Sequence, residues 1–250
     1  MALNYTQKAT LGRGELYVRT DTETAYEFIG NVSDFNYTPT VEKLERLSSR
    51  GGLKTTDVEV VTQQTVELAF TSDDVTAANL RRFALGTETA ANQGAGSAAS
   101  EAVTATVDRY HRLAYRHITT GTVVVQDVTD TTTYVAGTDY EVDLDKGILY
   151  IYPGVTIATD DVLHVSYDYT AVTRSRIDAG KTPLQELHIL FISDVAAGTN
   201  TEWKAYVSLT PEGAHNKITD EWETLGFTGK CLRHASYSSD LYEEYTIENA

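Results

Sequence analysis

A chain of 250 residues can bury a sizeable core, either as one elaborate domain or as two small ones. Its 41% apolar and 22% charged content excludes a disordered chain. Acidic residues outnumber basic ones 36 to 20, giving a net charge of −16 spread along the whole length. That excludes nucleic-acid binding by exchange of counterions for Lys and Arg.

Four Pro and one Met stand against 16 Tyr, and Thr and Val recur throughout. Such β-branched and aromatic residues suit a pleated surface, so a mainly β fold is expected. Cys231 is the single cysteine, which rules out an intramolecular disulfide. The amino terminus, MALNYTQKATLGRG, lacks the basic-then-apolar order of a secretory signal. No stretch approaches the roughly 18 apolar residues of a membrane span, so a protein made and folded in a cytoplasm is expected.

The first strand candidate is Gly14-Glu15-Leu16-Tyr17-Val18-Arg19, followed by a turn near residues 20–24. Tyr26-Glu27-Phe28-Ile29-Gly30 and Val32-Ser33-Asp34-Phe35-Asn36-Tyr37 come next, and residues 38–54 read as a long polar loop. Within it, Val41, Leu44 and Leu47 have the spacing of a helical turn, which Ser48-Ser49-Arg50-Gly51-Gly52 would end. In residues 56–71, Val58, Val60, Thr62, Gln64, Val66, Leu68 and Phe70 alternate with largely polar neighbours, which predicts a long half-buried strand. A helix should follow, capped by Ser72 or Asp73, with Leu80, Phe83 and Ala84 on its buried face and Gly86 as its stop.

Residues 90–100, AANQGAGSAAS, read as a small-residue linker marking a domain boundary. Beyond it, 122–128, 133–135, 140–144, 148–152 and 162–169 are short strand candidates, with Asp145-Lys146-Gly147 turning one hairpin. Their spacing predicts a small β-sandwich. Strands return at 187–193, 202–209 and 226–234, with a turn at Thr210-Pro211-Glu212-Gly213. The simplest organisation is a discontinuous core of residues 1–97 and 177–250 with an inserted sandwich at 98–176.

Several short segments resemble the tail tube, or major tail, proteins of long-tailed bacteriophages. They are Gly14-Glu15-Leu16-Tyr17-Val18, Gly30-Asn31-Val32-Ser33-Asp34-Phe35, the unit from Phe70-Thr71-Ser72-Asp73-Asp74 to Leu85-Gly86, and Leu209-Thr210-Pro211-Glu212-Gly213 followed by Trp222-Glu223-Thr224-Leu225-Gly226-Phe227-Thr228-Gly229-Lys230. Their order and spacing carry the likeness, which spans residues 12–86 and 187–233. It implies a β-sandwich or barrel core with one helix, in hexameric rings stacked into a tube through which DNA passes. The middle part would be an added domain on the tube exterior. The implied partners are further copies of the chain, tail tip or baseplate and terminator proteins, and a tape measure protein followed by DNA in the lumen. The implied location is the virion.

Within that expectation, Thr38, Glu42, Lys43, Glu45, Arg46, Arg50 and Lys54 offer both charge signs for contacts between rings. Asp73, Leu80, Phe83 and Gly86 define the core helix. Strands 58–70 and 187–193 are expected to supply free edges for sheet continuation between copies. A negatively charged lumen would resist adhesion of DNA.

No constellation for catalysis, metal or cofactor is expected. His111 and His117, near Asp108, have no shared register and read as surface residues. Asp143-Leu144-Asp145-Lys146-Gly147 lacks the spaced oxygens and closing Glu of a calcium loop. No Gly-x-Ser-x-Gly turn or phosphate-binding Gly loop occurs, and Cys231 beside Arg233 and His234 reads as a small buried residue. The alternative class is an adhesin or carbohydrate-binding β-sandwich, for which a concave aromatic cluster would be the sign.

Overall fold

The computed structural model describes residues 10, 12–195 and 199–247. The amino-terminal segment read for a secretory signal lies, through residue 9, outside them. The fold is mainly β with one short helix. The chain divides into two units, Met1–Glu88 with Ile177–Ala250, and Thr89–Arg176.

The first unit is built on an eight-stranded sheet. Its strands are β1 (Gly14–Thr20), β2 (Glu27–Phe28), β3 (Val32–Ser48), β4 (Thr55–Ser72), β13 (Gln185–Ser193), β14 (Asn200–Glu212), β15 (Leu225–Leu232) and β16 (Tyr242–Ile247). The spatial order is β2-β1-β13-β14-β15-β4-β3, and neighbouring strands run antiparallel. β14 is shared: residues 200–205 pair with β16 and residues 206–212 with β15. The sheet folds over on itself without closing into a barrel. Phe35 of β3 stacks at 5.0 Å on Phe191 of β13 and meets Trp203 of β14 edge-on at 5.4 Å. The enclosed core takes alternate residues of each strand, among them Leu16, Val18, Val66, Leu68, Phe70, Ile189, Trp203, Val207 and Phe227. Tyr37 lies against this core, and burial with a hydrogen bond to Glu244 pushes its phenol up to about 12.

Helix α1 (Ala77–Phe83) starts later than Ser72 or Asp73, because Thr76 accepts from the Asn79 amide and caps it. Asp73 and Asp74 instead bind Asn31, through its side-chain and backbone N–H respectively. The helix ends in a Schellman pattern: Leu85 N–H donates to Arg82 O and Gly86 N–H to Arg81 O. Leu85, and not the expected stop Gly86, therefore takes the positive φ, 47°. Gly86 is needed for space, since a Cβ there would lie 2.5 Å from Asp178 O. Phe83 packs edge-on to Phe227 at 6.1 Å, and Leu80 also lies against the core.

The turn expected at 210–213 is displaced. Thr210, Pro211 and Glu212 pair with β15, and the reversal begins at Gly213, with φ 73°. Proline fits in the ladder here because β13 reaches only to the partner of Leu209, leaving Pro211 on a locally free edge.

The second unit holds strands β6 (Gly96–Thr104), β7 (Tyr110–Arg112), β8 (Val124–Asp127), β9 (Tyr140–Asp143), β10 (Ile148–Ile151) and β11 (Val162–Tyr169). They form two three-stranded antiparallel sheets, β7-β10-β9 and β6-β11-β8, around a core containing Val125, Tyr140, Leu149, Ile151, Leu163, Val165 and Tyr167. Gly147, with φ 65°, turns the β9–β10 hairpin as expected. The 90–100 segment is not a linker. β5 (Thr87–Ala90) and β12 (Ser175–Asp178) pair with each other, Gln93 is buried, and β6 starts at Gly96. Small side chains reduce what a segment can bury, but every backbone still carries ladder-forming N–H and C=O groups. Among the described residues no helix is long and apolar enough to cross a membrane.

Candidate assembly surface

The stretch read as a loop over 38–54 is a strand. β3 runs unbroken to Ser48, the turn occupies residues 49–54, and β4 returns in register from Thr38↔Glu67 to Ser48↔Thr55. Gly51 and Gly52, with φ of 85° and 76°, supply the reversal. Val41, Leu44 and Leu47, spaced i, i+3, i+6, lie in this ladder and not on a helical turn. Thr and Val on the opposite strand supply an antiparallel ladder, which a local period cannot foresee.

β4 pairs with β15 only over Glu67–Ser72. Beyond that point residues 38–48 and 55–66 form a two-stranded arm with no further strand on either side among the described residues. At 3.3–3.4 Å per residue it is about 35 Å long. Two bulges, at Thr62 and Asp57, interrupt its register and increase its twist.

The arm's chemistry is unusual for a solvated hairpin. Val41, Leu44, Leu47, Leu53, Val58, Val60 and Val61 are between 43% and 74% exposed. From the register, Leu44, Val58 and Val60 share one face, while Val41, Leu47 and Val61 share the other. Apolar side chains therefore occupy both faces. Glu42, Glu45, Asp57 and Glu59 balance Lys43, Arg46, Arg50 and Lys54, so the arm is neutral in a chain of charge −16.

The predicted contact residues are all placed on this arm. Lys43 pairs with Glu59 and Arg46 with Asp57 across the strands. Glu45 accepts from the Thr56 hydroxyl at 3.3 Å. Thr38 and Glu42 lie in the ladder opposite Glu67 and Gln63. Arg50 and Lys54 lie within the turn without an ion-pair partner among the described residues. Exposed pairs of this kind contribute little to stability, typically 0–1 kcal/mol. Asp73, Leu80, Phe83 and Gly86 lie at the helix, apart from the arm in sequence and role.

The expected free edges are only partly present. β13 lies inside the sheet between β1 and β14, so 187–193 offers none. β4 is free on one side over residues 55–66, and β3 is an edge along its whole length. Pro39 sits in that edge strand, opposite Val66, and edge strands are where a sheet tolerates proline.

The profile of one protein family, described as protein of unknown function UCP028589, matches residues 9–242. The chain belongs to this family. No curated protein matches it. The matched span of this family member includes the whole arm, the helix and the second unit, and ends at the start of β16.

Elsewhere in this family member, His111 and His117 remain apart. His111 Nε2 lies 3.1 Å from Thr106 O, and His117 Nδ1 lies 4.0 Å from Asp145. Asp143 accepts from Lys146 Nζ and N at 2.6 and 3.0 Å, a turn-closing role that lowers its carboxyl. Burial pushes the Cys231 thiol up to about 12, which disfavours the thiolate a nucleophile needs. One set of nitrogen and oxygen ligands does converge among the described residues: Asp21, His188 and His234. Sequence inspection passed over it because its members are far apart in the chain. The available signal was His188 inside the apolar run Leu187-His188-Ile189-Leu190.

Proposed function

We propose that this protein is a structural subunit that assembles with copies of itself, the tail tube protein of a long-tailed bacteriophage. In this reading its hexameric rings stack into a conduit for the genome, and the protein resides in the virion. The supporting observation is the arm. A lone two-stranded hairpin is marginal in water, and apolar residues on both of its faces lower its solubility further. Such an element gains most by lying between neighbouring subunits. Head-to-tail contacts of that kind generate rings where the rotation closes and filaments where it does not. The residue-level resemblance to tail tube proteins supplies the identity of the assembly.

Negative-stain electron microscopy of concentrated protein tests this. Hollow tubes or six-fold rings are the expected result. A monodisperse monomer that binds glycans would overturn it in favour of a carbohydrate-binding module. That second reading draws on an open surface of about 500 Å³ in the second unit, lined by Tyr110, Glu141, Asp143, Lys146, Ile148 and Tyr150. Of its two tyrosines, Tyr150 already donates its hydroxyl to Asp108 at 2.6 Å.

A further inference from the structure

We propose that Asp21, His188 and His234 form a binding site for a divalent transition metal ion, with zinc as the best chemical match. Asp21 Oδ1 lies 3.1 Å from His188 Nε2 and 3.2 Å from His234 Nε2, and the three ligand atoms lie within 4.8 Å of one another. Bonds of about 2.0–2.1 Å to an ion in tetrahedral geometry put neighbouring ligand atoms about 3.3 Å apart. The two Asp–His distances are close to that value before any ion enters.

The surroundings hold the ligands in place. His188 projects from the face of β13 opposite the Leu187 and Ile189 core side chains and is fully buried. Its ring packs on Tyr206 at 4.8 Å, and its Nδ1 lies 2.8 Å from the Tyr237 hydroxyl. A hydrogen-bonded second nitrogen is what orients a metal-binding imidazole. His234, just past β15, packs on Tyr206 at 4.3 Å and stands perpendicular to His188. Asp21 follows β1 in a turn and is half exposed. That opening leaves a coordination position for water. Two imidazoles favour zinc, cobalt, nickel or copper over calcium and magnesium, which take oxygen ligands.

Proton positions identify what changes on binding. Without an ion, both Nε2–H groups donate to Asp21, the Tyr237 hydroxyl donates to His188 Nδ1, and the Ser236 amide donates to His234 Nδ1 at 3.2 Å. With an ion on both Nε2 atoms, each proton moves to Nδ1 of the same ring, so neither imidazole changes charge. His188 Nδ1–H then donates to the Tyr237 oxygen. The Ser236 amide must turn away from His234, which an exposed turn permits. The ion would tie together the end of β1, the middle of β13 and the segment after β15.

The test uses the full chain without a polyhistidine tag, stripped with a chelator and titrated with Co²⁺ and then Zn²⁺. The expected result is one equivalent of Co²⁺ with the visible absorption of an imidazole-ligated low-symmetry site, displaced by Zn²⁺, and a raised unfolding temperature. Asp21→Asn and His234→Gln, both at partly exposed side chains, should weaken binding at least ten-fold, and His111→Gln with His117→Gln should not. X-ray absorption of the zinc-loaded wild type should show two imidazoles, which keeps the proposal testable if a variant misfolds. Absence of stoichiometric binding, equal binding by the Asp21 and His234 variants, loss of binding in the His111/His117 variant, or an oxygen-only absorption spectrum would each overturn it.

Discussion

At Gly86 the backbone of a neighbouring segment leaves no room for a methyl group. A Cβ would meet Asp178 O at 2.5 Å and Asp178 C at 3.1 Å, both main-chain atoms that move only with their segment. Gly86→Ala should therefore destabilise the protein by about 1–3 kcal/mol, as overpacking does. Urea denaturation measures it, and a loss below about 0.5 kcal/mol would mean that the segment shifts freely. At Asp127, hydrogen bonds from the Thr129 hydroxyl, then the Thr132 and Thr131 amides, hold the carboxyl down to about 2. The sign follows from the depressed folded value: the carboxylate's contribution is complete above the unfolded value of about 3.9 and is lost as pH falls through about 2. Carbon-detected NMR should find the midpoint near 2, and a midpoint near 4 would show that these bonds do not form in solution.

At the scale of elements, β3 and β4 divide into two parts with different partners. Residues 67–72 of β4 lie between β3 and β15, and Val66, Leu68 and Phe70 are buried. The arm beyond them buries almost nothing by itself. Replacing residues 43–62 by an Asn-Gly turn would join Glu42 directly to its ladder partner Gln63 with the loop chemistry a two-residue hairpin favours. The shortened protein should keep its unfolding midpoint within a few degrees, because no core side chain is lost. It should fail to form tubes, as read by sedimentation and microscopy. Normal tubes would remove the arm from the assembly.

On the whole-molecule scale, each of the two units has its own hydrophobic cluster. The strands leading into and out of the second unit, β5 and β12, pair with each other, so its ends start close together. Excising 89–176 and joining the ends with a short Gly-Ser linker should leave the first unit folded, with its strand signal and cooperative unfolding intact. Tubes formed by the excised protein would assign the second unit a role other than tube building. Loss of tubes with an intact fold would make that unit part of the wall.

How much of this was legible in the sequence depends on how locally each feature is determined. The β composition, the strands read at 14–19, 162–169 and 187–193, and the hairpin at Gly147 follow from side-chain alternation and turn chemistry within a few residues. Local residue order also groups Thr38, Glu42, Lys43, Glu45, Arg46, Arg50 and Lys54 in one segment, but it does not show that this segment is a hairpin. The arm was misread because its ladder bonds are supplied by a strand across the turn, and apolar residues at Val41, Leu44 and Leu47 fit two periods at once. The 90–100 segment was misread because small side chains conceal a backbone that pairs over long range. Gly86 is recognisable as the helix stop, but chain order cannot show that Leu85 takes the positive φ or that Asp178 fills the space beside Gly86. Only the tertiary structure brings Asp21 within 3.1 Å of a histidine 167 residues away. Sequence by itself determines what each segment can pair with; which segments meet is decided by burial of the shared core, a property of the whole chain.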